Sequence, residues 1–382
     1  MTNSSHKKSI YFLLPLFLLC SVVFYSCGRR DTTEWNFGEP INPEYLQIAI
    51  IYLDETIGGY SRAHDKGLEK AIQSIGLREE QVIRKFNVID AYPIMSEYMI
   101  TEAITEGANV VIATSWGYMD VIEKLAARYP HVVFAHATGI RVNNRNFTNY
   151  YGRIYQARYL SGIVAGMQTQ TNKIGYVAAM DVTDVQVTSG LNAFARGVYR
   201  VNPEAEVLVK VTYNWVDKEG ERAAAERLIA EGCDVITQHS DTFAPQLAAE
   251  EAGVWGIGYN IDMSDVVEHT VLTSVVWNWD VYYTRLLRSI INGTFTTEPY
   301  MGGLEDGLVN LVDLDPQLST PEIQEAVSQA KRELLSGRIQ VFEGRMKTNL
   351  GSYIEVVDGV PSEQEIINTM NWYLHNIRVI RE

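Results

Sequence analysis

The sequence predicts an α/β fold of two lobes, in which each lobe is a parallel sheet flanked by helices and a cleft separates the lobes. Short apolar runs rich in Val, Ile and Ala alternate with helical patterns along the chain. Apolar runs without polar alternation are typical of parallel strands that are buried on both faces. The alternation begins again after residue 148 of the 382-residue chain, and a chain of this length suits two domains of ordinary size.

The first lobe is predicted over residues 46–148. It begins with a buried strand, and its first helix ends at Gly76, because glycine commonly follows the last turn of a helix. The predicted elements are strand 46–53, helix 60–75, strand 81–88, helix 92–106, strand 110–114, helix 119–129 and strand 132–135.

The second lobe is predicted over residues 149–271 and opens with a helix rich in Gly and Ala, a composition that suits close packing. Later elements cross between the lobes, so that about 272–300 completes the first lobe and about 301–382 the second. The predicted elements are helix 156–168, strand 174–179, helix 190–201, strand 207–212, helix 219–231, strand 235–237, helix 244–252, strand 255–259, strand 272–276, helix 281–291, strand 302–311, helix 321–335 and helix 362–376.

The N-terminus has the pattern of a secretory signal. Two lysines precede an apolar run over residues 10–25, which is shorter than the ~20 residues of a membrane-spanning helix. Cys27 follows a serine, a pattern typical of lipid attachment, whereas Cys20 follows a leucine and fits less well. We therefore predict a lipoprotein signal peptide over residues 1–26, a lipid on Cys27, a tether over 27–45, and a domain anchored outside the membrane. An ordinary secretory signal and a short N-terminal anchor are the alternatives.

Composition excludes several classes of protein. The chain is 46% hydrophobic and 21% charged, which is typical of globular domains, and its net charge of −15 argues against a nucleic-acid partner. Only Cys233 lies beyond the signal region, and its apolar surroundings favour a small buried side chain over a reactive thiol. No metal-ligand cluster, phosphate-binding glycine loop or nucleophile elbow occurs. We therefore expect no cofactor, no metal and no enzymatic activity.

Aromatic and short polar residues gather where the predicted strands end. Ligands of open parallel sheets bind outside the carboxyl ends of the strands, so these residues are the candidates for a binding site between the lobes. The candidates are Tyr60, His64, Asp65, Ser115, Trp116, Gly117, His136, Trp215, His239, Asp241, Asn260, Asp262 and Trp277. Aromatic rings stack on a planar base, and carboxylates accept hydrogen bonds from hydroxyl or amino groups. A purine, a nucleoside and a sugar all meet this description.

Several candidates have a purely structural interpretation. Asp65 suits the surface of a helix, and Trp116 suits the cap of a strand. Asp241 suits the N-cap of the next helix, a frequent use of aspartate, and Asp262 suits a turn.

Eight ordered segments, from about residue 46 to the C-terminus, resemble the basic membrane protein family of substrate-binding lipoproteins for ABC transporters, which includes purine-nucleoside receptors. They are residues 59–67, 113–118, 134–139, 151–162, 237–241, 273–279, 302–307 and 370–373.

The resemblance implies a type I periplasmic-binding-protein fold with the ligand held in the cleft. It places the stacking aromatic on Tyr60, a polar pair on His64 and Asp65, and the Ser-aromatic-Gly turn on residues 115–117. The ribose-binding aspartate of the nucleoside receptors corresponds to Asp262.

This chain departs from the nucleoside receptors at two positions. Asn260 stands where the family has an aspartate, and Trp277 stands where the nucleoside receptors have a lysine. A free purine base such as adenine is therefore an alternative to a nucleoside as the ligand.

The resemblance thus predicts an extracytoplasmic, lipid-anchored monomer that captures a purine nucleoside or nucleobase by cleft closure. It would deliver the ligand to an ABC permease in the membrane. A receptor for a sugar or another small polar metabolite, an exported nucleoside hydrolase and a ligand sensor for a signalling partner are the alternatives.

Overall fold

The computed structural model describes residues 37–55 and 59–381 and confirms the predicted α/β fold. Its elements are β1 (Ile48–Ile51), α1 (Gly59–Ile75), β2 (Val82–Lys85), α2 (Pro93–Thr105), β3 (Val110–Ala113), α3 (Met119–Arg128), β4 (Val133–Ala137), β5 (Phe147–Gly152), α4 (Ile154–Gln168), β6 (Lys173–Ala178), α5 (Val185–Val201), β7 (Glu206–Val211), α6 (Lys218–Ala230), β8 (Val235–His239), α7 (Ala244–Glu251), β9 (Trp255–Asn260), β10 (Val271–Trp277), α8 (Trp279–Ile291), β11 (Tyr300–Gly302), β12 (Val309–Leu311), α9 (Pro321–Leu335), β13 (Gly344–Lys347), β14 (Tyr353–Val356), α10 (Glu363–Asn368) and β15 (Ile377–Val379).

The first sheet has the strand order β11-β5-β4-β3-β1-β2, and all its neighbouring strands are parallel. Alternate residues of β1 face two different cores: Ile48 and Ile50 belong to one hydrophobic cluster, Ala49 and Ile51 to another. This explains why the strand is apolar throughout, since both of its faces are covered. α8 returns to this lobe and packs against α1.

The second sheet has the order β12-β10-β9-β8-β6-β7-β15. Its neighbours are parallel except for β12, which runs antiparallel to β10. Two parallel sheets flanked by helices form the two-lobe type I periplasmic-binding-protein fold, with the cleft between the lobes.

The chain passes between the two sheets after Gly152, after Trp277 and after Gly302. The sequence predicts that about 272–300 completes the first lobe, but β10 pairs with β9 in the second sheet, so this crossing follows Trp277. The other lobe boundaries stay a prediction.

Helices α4 and α5 pack unusually closely in the second lobe. A β-carbon on Gly162 would lie 2.0 Å from the Phe194 carbonyl oxygen, and one on Gly197 would lie 2.1 Å from the Tyr159 carbonyl oxygen. Because no side chain fits there, only glycine permits this approach of the two backbones. The Gly-rich composition of the segment predicted this packing.

The C-terminal region differs from its predicted structure. The helix predicted over 362–376 ends at Asn368 as α10, and the chain then runs through buried Met370 and Tyr373 into β15. The strand predicted over 302–311 is two short strands, β11 and β12, which belong to different sheets. Short apolar runs of this kind do not reveal their pairing partners from periodicity alone.

The first described residues lie against the first lobe. Phe37 packs its ring edge-to-face on Phe295 at 5.9 Å between centroids, and the Ile41 amide donates to the Ile291 carbonyl at 3.0 Å. The predicted signal peptide, Cys27 and most of the predicted tether lie outside the described residues. Phe37 and Ile41, which belong to the predicted tether, are therefore packed on the first lobe rather than free.

The described part of the chain lacks two features, a membrane-spanning helix and a metal-binding cluster. None of its helices is long and apolar enough to cross a bilayer. Residues 37–55 and 59–381 contain no group of three His, Cys, Asp or Glu that could hold a metal ion. Cys233 is buried, as predicted, and burial raises the pKa of its thiol to about 12.

Candidate functional site

The two lobes touch where their strands end. The Gly59 amide, at the start of α1, donates to the Asp241 carbonyl of the second lobe at 2.7 Å. The Tyr151 hydroxyl, on β5, donates to Gln186 Oε1 on α5 at 3.0 Å. Side chains from the carboxyl ends of both sheets therefore meet across the cleft.

A column of aromatic rings lies beside these contacts. Trp277 stacks on Trp279 at 4.6 Å between centroids, and Trp279 stacks on His64 at 4.3 Å, with interplanar angles of 11° and 10°. Tyr60 meets the His64 ring edge-on at 4.6 Å, and Tyr151 lies at 5.3 Å from Trp277. This aromatic column (Trp277, Trp279 and His64) runs from the end of β10 into α1. It places two of the predicted residues, His64 and Trp277, on either side of a third ring, Trp279, which was not among the candidates.

The predicted polar pair of α1 is hydrogen-bonded within the first lobe. His64 is buried, shares a hydrogen bond between its Nδ1 and the Tyr283 hydroxyl, and has a pKa lowered by burial. Asp65 Oδ1 accepts from the Tyr52 hydroxyl and from Arg84 Nε, each at 2.7 Å. The Asp65 carboxylate is thus held by an ion pair, in agreement with its structural interpretation.

Asp241 and Asn260 form a buried pair at the ends of two neighbouring strands. Asp241 follows β8 and Asn260 ends β9, and Asn260 Nδ2 donates to Asp241 Oδ1 at 2.8 Å. Asn260 has a φ of +70°, a conformation that asparagine tolerates better than most residues. Its Oδ1 is buried and has no hydrogen-bond partner among the described residues. Burial raises the pKa of Asp241 to about 8, although the bond from Asn260 opposes this.

The predicted Ser-aromatic-Gly turn of the first lobe is held by two side chains, the partly buried Asp90 and the buried His136. Asp90 Oδ2 accepts from the Ser115 hydroxyl and from the Gly117 amide, the latter at 3.1 Å. His136 Nε2 donates to the Ser115 carbonyl at 2.6 Å, and burial lowers its pKa to about 4. Trp116 is 49% exposed, so the turn presents its ring rather than burying it.

His239 is the centre of a buried network in the second lobe. Its Nδ1 lies 3.2 Å from the Tyr176 hydroxyl and its Nε2 lies 3.1 Å from the Tyr259 hydroxyl. Trp215 meets the His239 ring edge-on at 5.8 Å, and its carbonyl accepts from the Asp241 amide at 2.9 Å. Burial lowers the pKa of His239 well below its usual value. A neutral imidazole that supports Tyr259 is therefore a structural partner of the site.

Asp262 shapes a turn. Its Oδ1 accepts from the Ser264 amide at 3.0 Å and from the Ser264 hydroxyl at 2.7 Å. This is the structural interpretation of Asp262. The structure thus gathers Tyr60, Asp241, Asn260 and Trp277 at the cleft, while a ligand role for Asp262 stays a prediction.

Sequence reasoning missed several residues of this region. Asp90 lies two residues beyond the predicted strand 81–88, so the rule that selected the other candidates would have found it. Tyr259 was counted as the last residue of a strand, and Tyr151 lies on β5, which we did not predict. Arg158 lies within a predicted helix, where a charged residue ordinarily faces solvent, yet its side chain is completely buried.

The purine-binding protein of Brucella abortus is 29% identical over 337 residues, which cover 87% of this chain and 93% of that protein. A relative from Haloferax volcanii, named as a glucose-binding protein of an ABC transporter, is 35% identical over 347 residues. That alignment covers 88% of this chain and 86% of the relative.

Solved structures share the fold at lower identity. A solute-binding protein of an ABC transporter system from Aeropyrum pernix has a TM-score of 0.66 at 18% identity and covers 85% of this chain and 98% of its own. A transcriptional activator of the comK gene from Bacillus halodurans has the same TM-score at 21% identity. The match covers 77% of this chain and 99% of that protein. The family described as ABC transporter substrate-binding protein, PnrA-like, matches residues 58–343. The chain therefore belongs to the PnrA-like family of ABC transporter substrate-binding proteins.

Proposed function

We propose that this protein captures a purine nucleobase or nucleoside outside the cytoplasmic membrane and delivers it to the permease of an ABC importer. Family membership supports a small-molecule ligand, a permease partner and an extracytoplasmic location. The identity to the purine-binding protein of Brucella abortus extends over most of both chains and supports the choice of purine.

The observation that carries this proposal is the aromatic column beside the buried Asp241–Asn260 pair. A purine presents two flat faces and a polar edge, and aromatic stacking contributes about 0.5–1.5 kcal/mol beyond the burial of apolar area. The free Oδ1 of Asn260 and the Asp241 carboxyl can accept hydrogen bonds from ring N–H, amino or ribose hydroxyl groups. Trp277 and His64 cover both faces of Trp279. The rings that would contact the base are therefore Trp277, its neighbour Tyr151, and Tyr60 beside His64. These rings and the acceptors of Asp241 and Asn260 suit the two parts of such a ligand.

Closure of the cleft would complete the site. The bond between the Gly59 amide and the Asp241 carbonyl joins the first turn of α1 to the loop that carries the Asp241 carboxyl. A ligand bound between the lobes would be enclosed by this contact, and hydrogen bonds strengthen when water is excluded. The closed form then presents both lobes to the permease.

A sugar receptor is the second candidate. The relative from Haloferax volcanii is named for glucose binding, and its 35% identity exceeds that of the purine-binding relative. Sugars also use aromatic faces and carboxylates, so the residue types alone fit both ligands.

A ligand panel decides between these candidates. We expect purine bases or nucleosides to raise the melting temperature of the purified protein and glucose to leave it unchanged, because a bound ligand stabilises the native state. Mass spectrometry of the molecule that co-purifies with the protein provides an independent identification. Stabilisation by glucose alone would contradict the proposal, and release of free base from an incubated nucleoside would indicate a hydrolase instead.

We also propose that a lipid on Cys27 anchors the protein as a monomer to the extracytoplasmic side of the membrane. The basic start, the short apolar run and the Ser26-Cys27 junction support this. Replacement of Cys27 by serine should move the protein from the membrane fraction to the soluble fraction. An unchanged membrane association would contradict a lipid at this residue.

A further inference from the structure

Arg158 is a completely buried cation of the second lobe with no partner of opposite charge among the described residues. Arg158 lies in α4, one turn from the chain crossing that follows Gly152, and its side chain is 0% exposed. Its Nε, Nη1 and Nη2 atoms are buried and have no hydrogen-bond partner in the described chain. A buried guanidinium without an acceptor is costly, so a protein retains one where it serves a purpose.

Two tyrosines cover part of the guanidinium. Its carbon lies 4.1 Å from the centre of the Tyr259 ring and 5.6 Å from that of Tyr176. Ring faces attract a cation, but they provide no acceptor for the N–H groups around the guanidinium edge. The N–H donors of Arg158 therefore have no acceptor among the described residues.

Arg158 lies close to the cleft. Tyr259, whose ring it covers, directly precedes Asn260. Burial raises the pKa of Tyr259 and of Tyr151, and the nearby charge of Arg158 partly lowers both, while Asp241 raises both. The charges of Arg158 and Asp241 therefore act on the same two tyrosines, Tyr151 of the first lobe and Tyr259 of the second.

We propose that Arg158 binds the ligand directly and donates to the oxo oxygen and ring nitrogen of a 6-oxopurine. This inference rests on the proposed purine function and narrows its substrate class. The fork of a guanidinium matches the adjacent O6 and N7 acceptors of guanine or hypoxanthine, as it does in nucleic-acid recognition. Adenine places an amino donor at position 6, which repels another donor. The site thus selects oxopurines over aminopurines.

The proposal predicts a separation of binding from stability. Arg158→Met should weaken binding of hypoxanthine and guanine by about tenfold or more, while adenine binding stays close to its wild-type value. The melting temperature of the ligand-free variant should equal or exceed that of wild type, because a buried unpaired charge is replaced by an apolar side chain. Arg158→Lys should keep the charge but lose most of the oxopurine preference, because ammonium lacks the planar fork.

The measurement is isothermal titration of the full chain with hypoxanthine, guanine and adenine, together with a thermal melt of each variant. Arg196→Met is the matched control, since Arg196 is also largely buried but lies on α5 and donates to the Glu343 carbonyl at 3.1 Å. That control should leave the affinities for all three bases unchanged. If Arg158→Met fails to fold, the affinities of Arg158→Lys for the three bases test the proposal.

The outcomes separate this inference from the proposed function. Wild-type protein that binds adenine more tightly than hypoxanthine would overturn the oxopurine preference and leave purine binding intact. Equal losses for all bases, with a lowered melting temperature, would assign Arg158 a structural role and overturn the inference. If no purine binds to the wild-type protein, the proposed function itself fails.

Discussion

At the scale of single residues, Asp241 is an acidic side chain whose ionisation depends strongly on the fold around it. Burial raises its pKa to about 8, compared with ~3.9 in an unfolded chain. Both states bind the proton below about pH 4, but between about pH 4 and pH 8 only the folded state retains it. The stability of the ligand-free protein should therefore fall as the pH rises through this window.

We expect the free energy of unfolding to fall between pH 5 and pH 8 by on the order of 1 kcal/mol per pH unit from this group. Asp241→Asn should flatten the dependence, because the asparagine carries no titrating proton. Urea denaturation at several pH values measures how the free energy of unfolding depends on pH. Asp262→Asn, which changes the turn aspartate, is the control and should keep the wild-type slope. Equal slopes in wild type and Asp241→Asn would contradict the assignment.

Trp116 provides a second test at this scale. The ring is 49% exposed, so Trp116→Ala should leave the melting temperature nearly unchanged. If the ring covers a bound purine, the variant should weaken binding by about tenfold or more, since it loses both stacking and buried apolar area. Isothermal titration measures the affinity, and wild-type affinity would remove Trp116 from the site.

At the scale of elements, the close packing of α4 on α5 positions Arg158 over the second sheet. Gly197→Ala would place a β-carbon 2.1 Å from the Tyr159 carbonyl oxygen, a backbone atom that cannot rotate away. We expect a loss of about 1–3 kcal/mol in the free energy of unfolding, as for other overpacked cores. Chemical denaturation measures this free energy. Glu226→Ala, on the exposed part of α6, is the control, and its free energy of unfolding should stay within about 0.5 kcal/mol of the wild-type value. A neutral Gly197→Ala would show that the helices can separate without cost.

The strands and their exits were predictable because their physical signals are local. Apolar runs of four to eight residues, punctuated by Gly and polar clusters, predict buried strands, and the carboxyl-end rule then selects Tyr60, Asp241 and Asn260. Partners that come from distant segments were not predictable in this way. Arg84 neutralises Asp65 from another strand, and Arg158 is buried because α5 and two tyrosines happen to cover it. No spacing in the sequence encodes such contacts.

At the scale of the whole molecule, hydrogen bonds and an exposed ion pair connect the two lobes across the cleft. The exposed pair of Lys66 and Asp265, with Nζ and Oδ2 3.9 Å apart, connects α1 to the loop after β9. An exposed pair of this kind contributes little free energy, so it reports the closed state without enforcing it. Closure of the lobes on a ligand would therefore hold these two residues close together without depending on their ion pair.

This predicts that ligand binding brings residues 66 and 265 together. In a chain that starts at residue 28, with Lys66→Cys and Asp265→Cys, a short bismaleimide should crosslink the pair faster in the presence of ligand. Cys233 is 2% exposed and should not react. Each single-cysteine variant is the control. Equal crosslinking rates with and without ligand would contradict ligand-driven closure.

The packing of residues 37–45 on the end of α8 attaches the N-terminal segment to the first lobe. Gly293 has a φ of +67°, and a β-carbon there would lie 2.5 Å from the Glu39 carbonyl carbon, so the N-terminal segment is fitted tightly to this corner. Any pull from the N-terminus is therefore transmitted to the first lobe. If the membrane holds that end, the first lobe stays in place. The second lobe, which carries Arg158, Asp241 and Asn260, then moves during closure.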